Sequence, residues 1–355
     1  MNLIDFVSQK EIKINLRNPV VGLVFAQATY FDFENYLEND KLPIRVTDLR
    51  GIDFDNVNHE VVLSDMNYKF FESIVNNDVF HNTRILDFQS VLDVDLEKQF
   101  FAMTFLVNDK TLVVAFRGTD ATILGWKEDF NMSFSSEVPS QKASVEYLRR
   151  VMEKYNFPTY VVGHSKGGNL AMYSSSNIPD NLKDRIKRIY NYDGPGFSKV
   201  VSESDNYKSV ISKSYKIIPN SSVIGMLMDS NEKEKIVASK QVSIFQHDTY
   251  SWVIGNDGNF KYKDKLTASA KHFSVVVDEW LKNTTKEERI KVVDIIYSKF
   301  SELGISNVNQ LKKLFSIDGI KKLQELHKET DPEVREYVNG LTKMFVSIYV
   351  KKLGQ

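Results

Sequence analysis

Residues 159–177 read TYVVGHSKGGNLAMYSSSN. The run up to Gly163 is apolar and short enough for a buried strand, and from about residue 166 the pattern predicts a helix. Between them, Gly163-His164-Ser165-Lys166-Gly167 satisfies GxSxG. That pattern has a mechanical reason: a serine on a strained strand-to-helix turn needs neighbours without side chains so that the backbone can pass closely. The turn lifts Oγ above a sheet, and the N–H groups opening the helix face the place where an acyl oxygen would gain negative charge. A nucleophile elbow in an α/β protein is therefore expected. A phosphate-cradling loop would need GxxxxGK[ST], which this stretch lacks.

The flanks extend the α/β pattern. Residues 98–117, KQFFAMTFLVNDKTLVVAFR, predict two strands around an Asn108-Asp109 turn, a hairpin taken as the start of the main sheet. In residues 141–158, Val145, Leu148, Met152 and Tyr155 recur at helical spacing and Pro158 marks the end. Strands follow at 188–193 and 213–219, then a hairpin through KIVASKQVSIF (235–245). Alternation of strand and helix argues for a mostly parallel sheet with helices on its faces. Upstream, residues 19–37 suggest an early helix, and no chemistry announces itself before residue 95. Beyond about 280 the chain turns helical: NTTKEERIKVVDIIYSKFSELG (283–304) offers a Thr cap with Glu following and a terminal Gly304, and a last helix starts at Asp331-Pro332. The expected division is an α/β-hydrolase domain over 1–280 and a helical C-terminal extension over 281–355 packed on it.

Composition bounds the function. A chain of 355 residues, 42% hydrophobic and 12% aromatic, can bury a sizeable core. With 46 basic against 47 acidic residues there is no overall electrostatic case for a nucleic-acid partner. Cysteine is absent, so any nucleophile must be oxygen or nitrogen. No His, Asp or Glu spacing reads as a metal site and no dinucleotide fingerprint is present, so no cofactor is implied. The N-terminus does not read as a signal peptide, and no run approaches the roughly 18 to 20 apolar residues of a membrane span, which makes a cytoplasmic location the expectation. Residues 281–355 carry 14 basic against 10 acidic residues. That excess suits either a weak contact with an anionic membrane surface or a solvated helix face.

VVAFRGTD (113–120), GWKEDFNMSF (125–134), VVGHSKGGNLA (161–171) and QHDTYSW (246–252), in this order, resemble the class 3 lipases, the fungal triacylglycerol-lipase type of α/β hydrolase, and most closely a bacterial lipase-like branch of that group. The resemblance covers roughly residues 15 to 260. It implies that Thr119 supplies an oxyanion donor through its N–H and hydroxyl and Lys166 a second through its N–H. It also implies that Asp129 buttresses the loop shaping that hole and that Trp126 lines its mouth. The Lys166 cation would favour anionic head groups or acidic leaving groups, or else point to solvent.

Hydrolases of this fold place the triad in the order Ser, Asp, His. Of the histidines after Ser165, His247 aligns with the family's base, whereas His272 and His327 read as surface residues. His59 and His81 precede the elbow, and His164, inside it, is expected to pack and orient the turn. The acid departs from the fungal pattern: IIPNSSVIGMLM offers Ser222 where an Asp is expected. Asp193, ending RIYNYD before Gly-Pro-Gly, instead resembles the strand-end acid of pancreatic-type lipases; Asp229, Asp248 and a Ser222–water pair are the alternatives. The function expected is a serine hydrolase cleaving lipid or acyl esters through an acyl-enzyme. A catalytically silent lipid- or protein-binding module is the rival, and a thioesterase or acyltransferase would use the same elbow.

Overall fold

The computed structural model describes residues 1–31, 33–51, 64–120, 123–132, 137–268, 270, 284–302, 304–305 and 321. In chain order the strands are β1 (Ile44–Arg45), β2 (Thr83–Asp93), β3 (Lys98–Val107), β4 (Thr111–Phe116), β5 (Thr159–His164), β6 (Ile186–Tyr192), β7 (Ser214–Pro219), β8 (Lys233–Val237) and β9 (Tyr262–Lys263). The helices are α1 (Leu3–Val7), α2 (Pro19–Ala28), α3 (Ser64–Val75), α4 (Ile123–Met132), α5 (Pro139–Lys154), α6 (Lys166–Asn177), α7 (Asp180–Lys183), α8 (Lys199–Ser202), α9 (Asp205–Val210) and α10 (Lys286–Glu302).

All the described strands form one sheet in sequential order. The pairs from β1 to β4 are antiparallel, those from β4 to β8 parallel, and β9 returns antiparallel on β8. Parallel strands that are neighbours in both sequence and space carry their connecting helices on one face, because each crossover has the same hand. The core divides accordingly. Val114, Phe116, Val161 and Ile189 pack with Tyr147, Leu148, Leu170, Met172 and Tyr207 of α5, α6 and α9. Their strand neighbours Val113, Ala115, Val162 and Tyr190 point the other way, into the cluster built with α1, α2, α3 and Trp252. Two sheet tyrosines also fasten α2: Tyr190 Oη lies 3.1 Å from the Leu16 carbonyl, and Tyr192 Oη donates to that of Pro19 at 2.5 Å.

This is the α/β-hydrolase architecture, and several expected elements recur in it. The 98–117 hairpin is β3/β4, with Asn108 and Asp109 both at positive φ, 51° and 54°, as a tight two-residue turn requires. The sheet, however, begins earlier, at β1 and β2. The hairpin expected over 235–245 does not form. β8 is instead the last parallel strand, it pairs with the distant β9, and residues 243–247 make a 3₁₀ turn. The early helix stops at Ala28.

The capping pattern before α10 is present, with Thr285 N–H on Glu288 Oε2 at 2.6 Å and Glu288 N–H on Thr285 Oγ1 at 3.2 Å. α10 meets α4 through Lys127, whose ammonium bonds Asp294 and Glu97 at 2.7 Å each and lies 4.7 Å above the Tyr297 ring. The helix expected from Asp331 lies outside the described residues. Among the described residues no helix is long and apolar enough to cross a membrane.

Candidate active site

Four chain segments converge where β4 to β8 reach their carboxyl ends, the edge at which open α/β sheets bind ligands. Ser165 is the single joint between β5 and α6, at φ 59° and ψ −133°. Such a backbone costs a residue with a side chain about 1–3 kcal/mol and persists only when its surroundings over-determine it. Here Ser165 N–H bonds the Tyr192 carbonyl at 2.9 Å, and Gly168 N–H bonds the Ser165 carbonyl at 2.8 Å. A Cβ on Gly163 would lie 2.0 Å from the Gly167 carbonyl oxygen, and one on Gly167 2.1 Å from that of Phe116. Any side chain at either position would open the turn. The Lys166 N–H opens α6, where no carbonyl of the helix can take it.

His247 closes the 3₁₀ turn Ser243–His247, and the segment is pinned on both sides of it. Gln246 Oε1 accepts the Ser221 N–H at 2.7 Å, Trp252 Nε1 donates to the Gln246 carbonyl at 2.7 Å, and Thr249 Oγ1 donates to Gln27 Oε1 at 2.8 Å. So held, His247 Nδ1 lies 2.7 Å from Asp193 Oδ2. The ring is about a quarter exposed while the carboxylate is fully buried. Asp193 follows β6 at φ 50°, its N–H on the Ile217 carbonyl at 2.8 Å. Its other oxygen accepts Ser222 Oγ at 2.5 Å, so each oxygen has its own donor. Ser165 Oγ makes no hydrogen bond to His247 Nε2 among the described residues. In ligand-free sites such contacts are often long and tighten with substrate.

The segment after β4 passes against the elbow: a Cβ on Gly118 would lie 2.9 Å from Ser165 Cβ. Arg117 anchors it, bonded to Glu34 at 2.5 Å with its guanidinium 4.0 Å above the Phe101 ring. Thr119 Oγ1 donates to Asp129 Oδ2 on α4, while Asp129 Oδ1 is buried without a hydrogen-bond partner among the described residues. Burial pushes the Asp129 carboxyl up to about 6, against the opposing pull of the Lys166 charge and the Thr119 bond. The unfolded chain ionises this group near pH 4, so between about pH 4 and 6 the folded chain holds a proton that the unfolded chain has released. Its contribution to stability is therefore full below about pH 4 and lost as the pH rises through 6. Asp129→Asn should flatten the change of Tm across that window, which melts of both proteins at pH 4.5 and 6.5 will show.

Lys166 corrects both sequence expectations for its cation. The side chain turns under the elbow instead of outward, and its ammonium bonds the Gln99 carbonyl at 2.8 Å, Gln99 Oε1 at 2.6 Å and Glu128 Oε2 at 3.0 Å. Both members of the pair are 1% exposed. Glu128 is further used by the N–H groups of Gln99 and Ser140 at 3.1 and 3.0 Å, which ties β3, α4 and α5 to the elbow. Breaking a buried pair strands the remaining charge, so Lys166→Met should lose about 3–5 kcal/mol of stability, measured by urea denaturation.

A model of the Mbeg1-like family matches residues 74–298. The chain belongs to the Mbeg1-like family. The match takes in the elbow, Asp193 and His247 together. The chain is also similar in structure to lipases of low sequence identity. The native lipase–propeptide complex of Rhizomucor miehei is 13% identical, with 69% of this chain and 78% of that one covered and a TM-score of 0.40. Lipase II of Rhizopus niveus is 13% identical, with 67% and 81% covered and a TM-score of 0.39. Comparison with curated protein sequences gave no match.

Among the expected site residues of this Mbeg1-like chain, Ser165, His164, His247 and Asp193 come together, and Thr119 reaches Asp129 beside them. Asp229 does not approach His247: it is exposed and pairs through its backbone with Phe197. Asp248 caps the next turn, accepting the Tyr250 N–H at 2.9 Å. Trp126 lies in α4 with its side chain outside the described residues, as are His59, His272 and His327 altogether. His81 faces Thr47, far along the chain from the elbow. Two groups escaped the sequence reading. Glu128 lies one residue before Asp129 without a motif of its own, and Tyr30 sits in an aromatic run, ATYFDF, that reads as core.

Proposed function

We propose that this Mbeg1-like protein is a serine hydrolase that cleaves carboxylic esters through an acyl-enzyme. The observation that carries the reading is the 2.7 Å contact of His247 Nδ1 with buried Asp193, beside a serine held on a strained elbow. Ser165 Oγ attacks the ester carbonyl as His247 Nε2 takes its proton. Asp193 keeps the Nδ1–H tautomer and stabilises the imidazolium. The N–H groups of Thr119 and Lys166 receive the oxyanion. His247 returns the proton to the leaving alkoxide, and water repeats the sequence on the acyl-enzyme. Lipid and acyl esters are the substrate class that the motif resemblance suggests. The division into a hydrolase domain over 1–280 and a helical extension over 281–355 is part of the same proposal, supported by α10 resting on α4.

A silent binding module would have no use for a buried carboxylate aimed at a partly exposed imidazole. Hydrolysis of a series of p-nitrophenyl esters from acetate to palmitate tests the reading. Turnover with a pre-steady-state burst of nitrophenol supports it, and no turnover at any chain length defeats it.

A further inference from the structure

We propose that Tyr30 is a positioning residue of this site, its hydroxyl joining the oxyanion segment to the elbow and, through His164, to the backbone that carries the base. The proposal rests on the serine-hydrolase reading above. Tyr30 enters from the turn after α2, on the opposite side of the sheet from α5 and α6, and both Tyr30 and His164 are buried.

The direction of each hydrogen bond follows from elimination. His164 Nε2 lies 2.9 Å from the His247 carbonyl oxygen, which can only accept, so Nε2 carries the proton. Burial, and next the neighbouring His247, hold the His164 imidazolium well below the usual histidine range, so the ring is neutral and Nδ1 is a lone pair. Tyr30 Oη, 3.1 Å from Nδ1, must then donate to it. The His164 carbonyl at 3.4 Å is a more distant acceptor for the same proton. Burial pushes the Tyr30 phenol up, so it keeps that proton. Its oxygen remains free to accept the Gly118 N–H at 3.1 Å.

The result is one directed chain: Gly118 N–H to Tyr30 Oη, Tyr30 O–H to His164 Nδ1, and His164 Nε2–H to the His247 carbonyl. It ties the residue before Thr119, the residue before Ser165 and His247 itself to one phenol. The rings follow the same path, with centroids 5.8 Å apart for Tyr30 and His164 and 4.6 Å for His164 and His247. Tyr30→Phe would leave the Gly118 N–H and His164 Nδ1 buried without partners. The oxyanion donor and the base are then free to drift relative to Ser165, and small misplacements of reacting groups are costly in rate.

The test combines p-nitrophenyl ester kinetics with ¹⁵N-histidine NMR on the wild-type chain, Tyr30→Phe, His164→Gln and the double variant. His164→Gln keeps an N–H donor for the His247 carbonyl, but its one side-chain acceptor, Oε1, does not stand where Nδ1 receives the Tyr30 proton. Each single variant should lose roughly 10- to 100-fold in kcat with KM within about twofold. The double variant should be no slower than the worse single one, because both remove the same chain. Wild-type His164 should show the Nε2–H tautomer, and its Nδ1 resonance should move in Tyr30→Phe. Unchanged kcat in Tyr30→Phe, additive losses in the double variant, or an Nδ1–H tautomer in the wild type would each overturn the proposal while leaving the hydrolase reading intact. A wild-type chain inert to every ester, with the expected tautomer, would overturn the hydrolase reading and with it the role of Tyr30 in rate. Should Tyr30→Phe not fold, His164→Gln and the wild-type spectrum decide alone.

Discussion

Ser165→Ala is expected to lower kcat on any ester the protein turns over by about 10⁴- to 10⁶-fold, with the fold intact. The size follows from where the hydroxyl stands. It is the only atom lost, it heads the strained joint between β5 and α6, and the groups around it serve no purpose without it. Alanine fits the same backbone pocket, since the hydrogen bonds that hold residue 165 run through its N–H and carbonyl. Circular dichroism and Tm should therefore match the wild type. Strain at φ 59° is unchanged or slightly eased for the smaller side chain. A variant that retained kcat within tenfold would remove Ser165 from the chemistry.

Asp193→Asn should cost about 10⁴-fold in kcat, the loss known for this exchange in a Ser-His-Asp site. Two donors converge on the carboxylate, His247 Nδ1 and Ser222 Oγ. An amide places its NH₂ group against one of them and carries no charge to balance the imidazolium. Ser222→Ala provides the comparison. It removes one hydrogen bond and keeps the charge, so its loss should be far smaller, about tenfold or less. The ratio of the two losses, read from kcat/KM on one ester, separates the part played by the charge from that of the local bonding. Equal losses would mean that the contact with His247 is structural.

The legible parts of this molecule were those written in local pattern. The elbow is a five-residue signal because its geometry forbids side chains at Gly163 and Gly167, and the β3/β4 hairpin is marked by two residues that tolerate positive φ. Asp193 stands out as a candidate because a strand end followed by Gly-Pro-Gly is a local feature, and the structure sets it 2.7 Å from His247. The less legible parts depend on distance along the chain. Ser222 reads as a replacement for the acid, whereas it stands beside Asp193 as a donor, 29 residues apart in sequence and 2.5 Å in space. Lys166 reads as a surface cation from its neighbours, and only the approach of β3 and α4 reveals the buried Glu128 that receives it. β8 reads as half of a hairpin because a parallel strand and a hairpin strand share the same short pattern. Tyr30 is the extreme case: no spacing marks it, and its role depends on three segments meeting at one hydroxyl.

Whether Ser165 is an activated nucleophile separates a hydrolase from a silent module on the same fold. Incubating the full chain with a fluorophosphonate and locating the adduct by peptide mass spectrometry measures this directly. The geometry predicts stoichiometric labelling on Ser165, slowed by several orders of magnitude in His247→Ala and absent in Ser165→Ala. A wild-type protein that stays unlabelled, or that is labelled equally fast in His247→Ala, would contradict it.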